Sequence, residues 1–317
     1  MIAFGPVPSR RLGRSLGINN IPPKICTYAC VYCQLGRTIK MQVEREAFFE
    51  PEEILDVVQE RIRRARDVGE PIDYLTFVPD GEPTLDANLG RSIELLKPLG
   101  ISIAVISNAS LVWRQDVRED LAKADWVSLK ADAASEPMWR SVNRPHRSLD
   151  LAAIQEGMLQ FADLYEGKLM TETMLVTDLN DDEKCLKDVA EFLGRLQPDA
   201  AYLSVPTRPP AEPWAQPPDE ATINHAYQIL SEAVEHVEYL IGYEGNAFAF
   251  TGDVEDDLLS ITAVHPMRED AVDEFLGKAG ADWSAVHQLV ADDLLVETEH
   301  GGHRFYVRKL NRHNNTT

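Results

Sequence analysis

The sequence is poor in cysteine, in positive charge and in long apolar runs. Four cysteines in 317 residues, three of them in one short stretch, do not make the evenly spread framework of a disulfide-rich secreted domain, so we expect a reducing, cytoplasmic location. No run of about 18 apolar residues occurs, which predicts that the chain does not enter a membrane. With 31 basic against 52 acidic residues, the net charge of −21 disfavours nucleic acid, and no DNA partner is expected.

What the sequence does contain is a regular alternation of β-rich runs with amphipathic segments. Six runs have the composition of buried strands: Ser15–Ile18, Ile72–Phe77, Ile101–Ser107, Trp126–Lys130, Leu169–Val176 and Ala201–Val205. Five stretches between them place apolar residues at helical spacing: Pro51–Arg66, Leu85–Leu96, Arg114–Ala124, Leu149–Tyr165 and Asp181–Leu196. This order predicts an α/β protein with a partial (βα)6 TIM-type barrel, in which the loops after the strands carry the chemistry.

The repeating pattern ends at a proline-rich stretch, Pro206 to Pro218, which is either a linker or a lid over the barrel mouth. The predicted domains are therefore the barrel core with this closing segment at 1–218, a helix (Asp219–Val237) and connector at 219–253, and a small unit at 254–312 before a disordered tail at 313–317. Two helical patterns and a hairpin around Gly301-Gly302 make the small unit winged-helix-like. Between residues 254 and 310, twelve acidic residues against five basic ones argue against DNA binding.

The strongest chemical signal is C-x3-C-x2-C, formed by Cys26, Cys30 and Cys33. Three thiolates can bind three irons of a 4Fe–4S cluster and leave the fourth iron open to another ligand. A structural zinc site needs a fourth ligand, and zinc with a distant histidine or with Cys185 is the alternative. Cys185 has the spacing of a packed residue on the fifth helix.

This motif, with the aromatic Tyr32 directly before the last cysteine, resembles the signature of the radical S-adenosylmethionine (SAM) superfamily. The longer stretch from Gly5 to Thr38 resembles the group related to the tRNA wyosine (4-demethylwyosine) synthases, although the second cysteine cluster of those enzymes is missing here. The resemblance implies a 4Fe–4S cluster and SAM as cofactors. It also implies reductive cleavage of SAM to a 5′-deoxyadenosyl radical, which abstracts hydrogen from a substrate.

The resemblance also implies where SAM binds. Gly81, Glu82 and Pro83 follow the second predicted strand and are similar to the GGE-type segment that binds the methionyl amino group, with Asp80 in place of the usual first glycine. Ser107 and Asn108 end the third strand, where related proteins contact the ribose or carboxylate; a simple strand-ending turn is the alternative. Lys130 ends the fourth strand and faces either the cofactor carboxylate or the substrate.

Three further residues are candidates for binding the substrate. Arg144 and Arg208 resemble segments near the barrel mouth and are potential clamps for anions, or arginines that anchor loops. Glu172 lies inside the fifth strand, where a carboxylate is costly unless it is paired, so it is expected to point into the cavity. No catalytic residue is identified from the sequence.

The sequence thus predicts a radical SAM enzyme of unidentified substrate that receives electrons from an external flavodoxin-type or ferredoxin-type donor. A tRNA base, as in the wyosine synthases, a peptide or protein, and a small molecule are the competing substrates. A non-catalytic metal-binding adaptor is the alternative from another class.

Overall fold

The computed structural model describes residues 1–242 and 245–309. In chain order its strands are β1 (Ala3–Ser9), β2 (Gly13–Ile18), β3 (Ile25–Cys26), β4 (Lys40–Met41), β5 (Tyr74–Phe77), β6 (Ser102–Ser107), β7 (Trp126–Lys130), β8 (Lys168–Met174), β9 (Ala200–Ser204), β10 (Val237–Leu240), β11 (Met267–Arg268), β12 (Leu295–His300) and β13 (His303–Arg308). Its helices are α1 (Pro51–Asp67), α2 (Leu89–Leu96), α3 (Gln115–Leu121), α4 (Glu136–Val142), α5 (Leu151–Leu164), α6 (Glu183–Leu196), α7 (Glu220–Ser231), α8 (Val254–Thr262), α9 (Glu269–Ala279) and α10 (Ser284–Ala291).

Eight strands form one sheet in the order β1-β2-β5-β6-β7-β8-β9-β10. The pair β1 and β2 is antiparallel, and every later neighbour is parallel. Helical crossovers cover one face of this sheet, so the carboxyl ends of β5 to β9 lie at one edge. Because β1 and β10 do not pair with each other, the barrel is partial, as predicted.

The helices form because their apolar residues recur on one face. In α1, Ile54, Val58 and Ile62 are spaced four residues apart and are buried against the sheet, and Pro51 occupies the first turn. The α5 and α6 helices begin at Asp150 and Asp182, whose carboxylates accept hydrogen bonds from backbone N–H groups of the first turn. These local signals explain why the periodicity located the helices well.

Several elements differ from the prediction, among them α8, which adds a third helix to the C-terminal unit. Strand β1 is not predicted from the sequence because Pro6 and Pro8 are untypical of strands. The helix α4 is not predicted either. The segment predicted as one helix from Leu85 to Leu96 is a 3-10 turn at Pro83–Leu85 followed by α2. The helix predicted to reach Val237 ends at Ser231, since Val237 begins β10; the sheet therefore continues beyond residue 218.

The C-terminal unit has the order α8, β11, α9, α10, β12, β13, with the sheet order β11-β13-β12. The predicted hairpin is confirmed, since His300 pairs with His303. The winged-helix assignment itself stays a prediction. The unit is fastened to the barrel because Phe4 and Val7 of β1 share an apolar core with Leu258, Ile261 and other residues of the unit.

The predicted tail at 313–317, with the last residues of the predicted 254–312 unit, lies outside the described residues. Within the two described ranges, no helix is both long enough and apolar enough to cross a membrane.

Candidate active site

The three cysteines of the C-x3-C-x2-C motif line one cavity of about 290 Å³ at the carboxyl edge of the sheet. Their loop is held from both sides: the backbone N–H of Ala29 donates to the carbonyl of Asn143 (3.1 Å), and β3 pairs with β4. Gly81 contacts the loop so closely that a Cβ atom there would lie 2.0 Å from the carbonyl oxygen of Ile25. Only a glycine can lie this close to the loop backbone, and Gly81 also has a φ of +155°, which favours glycine.

The thiols are partly buried, and the positive charges near them do not offset the effect of burial on their pKa values. Burial raises the pKa of Cys30 to about 12, with Asp132 adding to the effect. Burial likewise raises the pKa of Cys26 and of Cys33. In the described part of the chain, no group of three or more His, Cys, Asp or Glu side chains is close enough to bind a single metal ion. Three cysteines at one cavity are the donor set that three irons of a 4Fe–4S cluster take, and its cationic irons would stabilise the thiolates.

Glu82, predicted to bind the SAM amino group, is 1% exposed and is held by the protein itself. Its Oε1 accepts hydrogen bonds from Thr84 N (3.0 Å), Thr84 Oγ1 (2.6 Å) and Ser107 Oγ (2.7 Å), and its Oε2 accepts one from Asn108 N (2.7 Å). Burial raises its pKa, and these hydrogen bonds partly offset the rise. The carboxylate therefore joins the loops after β5 and β6. Pro83 starts the 3-10 turn and does not line the cavity.

Asn108 and Asn143 each direct a side-chain amide at a cysteine sulfur. Asn108 Nδ2 lies 3.5 Å from Cys26 Sγ, and Asn143 Nδ2 lies 3.5 Å from Cys30 Sγ. The orientation of Asn143 follows from Asp132, whose Oδ2 accepts a hydrogen bond from the same Nδ2 (2.7 Å) and another from the hydroxyl of Tyr32. No role was predicted for Asn143 from the sequence, since its contact with Cys30 is made across 113 residues of chain.

Lys130, Glu172 and Arg11 form a buried charge network beside the cysteines. Lys130 Nζ lies 3.0 Å from Glu172 Oε1 and 3.5 Å from Asp132 Oδ1, and Arg11 pairs with the other oxygen of Glu172. Burial alone would raise the pKa of Glu172, but Lys130 and Arg11 outweigh it, and the pKa is lowered. Burial lowers the pKa of Lys130, but Asp132 and Glu172 outweigh that effect, and it is raised. Both groups are therefore charged at neutral pH.

The two candidate arginine clamps lie in different places. Arg208 lines the cavity, donates from Nη1 to Gln34 Oε1 (2.6 Å) and contacts His265 Nε2 (2.6 Å), so it connects the cysteine loop with the C-terminal unit. Arg144 lies outside the cavity and pairs with Glu212 (2.7 Å). Its geometry favours the loop-anchoring alternative over a substrate clamp.

Of the residues predicted for the site, Tyr32, Gly81, Glu82, Ser107, Asn108, Lys130, Glu172 and Arg208 line the same cavity as the three cysteines. Sequence reasoning left two contributors without a role. Arg11 pairs with Glu172, and Ser204 donates to Glu172 Oε1 (2.9 Å). A polar residue at the end of the last predicted strand was the signal that could have identified Ser204.

Comparisons with known proteins show which family this chain is similar to. Residues 20–193 match the family described as the Radical SAM superfamily. UPF0026 protein MJ1312 of Methanocaldococcus jannaschii is 47% identical over 311 residues, which cover 98% of this chain and 96% of that protein.

Two solved structures are similar in fold alone, since their identities are low. The structure of TYW1 with a lysine-pyruvate adduct bound superposes with a TM-score of 0.52 at 18% identity, over 70% of this chain and 74% of that one. A radical SAM methyltransferase from Sphaerobacter thermophilus has a TM-score of 0.51 at 17% identity, over 71% of this chain and 66% of that one.

Proposed function

The chain belongs to the radical SAM superfamily, and from that premise we propose that Cys26, Cys30 and Cys33 bind a 4Fe–4S cluster at which SAM is reductively cleaved. The observation that carries the proposal is that these cysteines share one cavity with the segments expected to hold SAM. When bound, the cluster would supply an electron and SAM would supply the 5′-deoxyadenosyl group. The resulting 5′-deoxyadenosyl radical would abstract a hydrogen atom from a substrate.

Different residues at the cavity would bind SAM and contact the cysteines. The backbone around Gly81 borders the cavity where the amino group of SAM would bind, and Glu82 fixes that backbone from behind through its four hydrogen bonds. Lys130 is a buried cation at the same cavity and would attract the carboxylate of SAM or of the substrate. Asn108 and Asn143 donate to the sulfurs of Cys26 and Cys30.

We propose that the substrate is a small molecule. Two contacts support this: Arg208 at the cavity contacts His265, and the carbonyl of Pro206 lies 3.4 Å from His300 Nε2, so the C-terminal unit is held against one side of the cavity rim. A tRNA base and a peptide are the alternatives, and both would require part of a larger molecule to pass this rim.

Anaerobic reconstitution of the full chain tests the proposal. We expect about four iron and four sulfide per chain, and 5′-deoxyadenosine from SAM after addition of dithionite. Cys30→Ala should lose the cluster and this product. Cys185→Ala is the matched control and should retain both, because Cys185 lies on α6 away from the cavity. One zinc per chain without iron would instead support the metal-binding adaptor, and product formation by Cys30→Ala would refute the role of the loop.

A further inference from the structure

The acidic residues of this protein are distributed very unevenly. Residues 1–43 contain no aspartate or glutamate, although the chain has 52 of them, and the same stretch carries six basic residues. A second segment, 137–149, is also free of acidic residues and contains three arginines. These two segments are therefore net positive in a chain whose net charge is −21.

Backbone pairing places these two segments side by side on the outside of the cysteine loop. Strand β4 pairs with β3, so that Met41 lies opposite Cys26. On the other side, Tyr28 bridges to Pro145, and the N–H of His146 donates to the carbonyl of Thr27 (2.9 Å). The resulting surface, which we call the basic face, consists of Arg37, Ile39, Lys40, Met41, Arg140, Arg144 and Arg147.

The basic face has an apolar centre. Ile39 is 68% exposed and Met41 is 36% exposed, and both belong to the small set of large apolar side chains that are exposed in the described residues. The side chains of Arg37 and Lys40 beside them are 76% and 55% exposed. Apolar residues surrounded by charged ones are typical of a protein interaction site.

Acidic neighbours reduce the charge of this face without cancelling it. Glu212 pairs with both Arg37 and Arg144, Glu46 with Lys40, and Glu136 with Arg140. Five cations thus face three carboxylates. Arg147 is exposed and makes no ion pair with any residue in the described ranges. Pairs at such exposed positions are weak, and a partner's carboxylates can replace them.

The position of the face indicates the kind of partner. Neighbouring strands lie roughly 5 Å apart, so Met41 and Lys40 lie one strand away from the predicted iron ligand Cys26. Neither Arg37, Ile39, Lys40 nor Arg147 lines the substrate cavity. A molecule on this face would approach the cluster without blocking substrate entry, which is the requirement for an electron donor.

We propose that the basic face docks an acidic one-electron carrier protein of the flavodoxin or ferredoxin type, a step that rests on the proposed function. Its carboxylates would meet Arg37, Lys40 and Arg147, and its apolar surface would cover Ile39 and Met41. RNA is disfavoured because single-stranded RNA binds by stacking on aromatic side chains, whereas the exposed apolar residues here are aliphatic and the nearby Trp139 and Tyr28 are 2% and 3% exposed.

Stopped-flow reduction of the reconstituted full chain tests this docking. The probe is reduced flavodoxin, and the signal is the loss of cluster absorbance under anaerobic conditions. The double variant Arg37→Glu/Arg147→Glu should slow this reduction about tenfold, and Ile39→Ser should slow it as well. Reduction by dithionite, and the 5′-deoxyadenosine that it yields, should stay unchanged, because a small reductant needs no docking surface.

Arg91→Glu is the matched control, since Arg91 lies on α2, is 60% exposed and pairs with one carboxylate, Glu52. Unchanged flavodoxin kinetics in the double variant and in Ile39→Ser, or an equal slowing by Arg91→Glu, would overturn the proposal. The proposal would also be overturned if the wild type binds a labelled tRNA and the double variant does not, while the flavodoxin kinetics of the double variant stay unchanged. That result would show that the face binds RNA. Absence of 5′-deoxyadenosine with dithionite would instead refute the proposed function.

Discussion

Replacing Glu172 by glutamine should destabilise the protein strongly, because this carboxylate balances two buried cations. Its side chain is 11% exposed, and those of Arg11 and Lys130 are 17% and 15% exposed. Removing one member of a buried ion pair costs about 3–5 kcal/mol. Lys130 keeps Asp132 at 3.5 Å, so we expect the lower end of this range, about 3 kcal/mol.

Urea unfolding followed by circular dichroism measures this effect. With an m-value of about 3 kcal/mol/M, a loss of about 3 kcal/mol lowers the midpoint by roughly 1 M. Glu238→Gln is the matched control, because Glu238 also lies in a strand, β10, but is exposed. The control should change the free energy of unfolding by less than about 0.5 kcal/mol.

The pH dependence gives a second check. The pKa of Glu172 is lowered in the folded protein, so its contribution is present above the pKa of an unfolded glutamate, about 4.3, and is lost as the pH falls through the folded value. The difference between wild type and Glu172→Gln should therefore be constant from pH 6 to 8. A midpoint change below about 0.3 M, or a difference that varies over this pH range, would refute the reasoning.

Three further predictions concern single side chains. Asn143→Ala should shift the cluster's reduction potential to more negative values in an EPR-monitored titration, because a hydrogen-bond donor to Cys30 Sγ stabilises the reduced cluster. An unchanged potential would show that the contact has no such role. Glu82→Gln should destabilise the protein by about 1–3 kcal/mol, since an amide nitrogen in place of a carboxylate oxygen leaves one buried donor without an acceptor. The same variant should weaken SAM binding measured by calorimetry, and full SAM affinity would contradict the positioning role of Glu82. Asp150→Ala should cost about 1 kcal/mol through loss of the α5 cap while iron content stays normal, and a loss of iron would mean that α5 supports the cluster loop.

Much of the barrel could be predicted because its signals are local. The strands Trp126–Lys130 and Leu169–Val176 were recognisable as β-rich runs, and the structure has β7 and β8 there with shifts of at most two residues. Strand β1 was missed since its prolines oppose strand formation, and sheet pairing with β2 overrides them. Strand β10 follows a helix with few turn residues between, so only its pairing with β9 identifies it.

The sequence by itself determined the cysteine motif, because Cys26, Cys30 and Cys33 lie close along the chain and a single loop can bring them together. The tertiary structure alone decided which of the surrounding groups contact one another. Arg11 meets Glu172 across 161 residues, and Asn143 meets Cys30 across 113. The tertiary structure also shows that Glu82 accepts hydrogen bonds from Ser107 and Asn108, and that Arg144 lies outside the cavity. Such contacts depend on the parallel strand order, which brings distant strand ends to one edge, and no local pattern of residues encodes which partners will meet there.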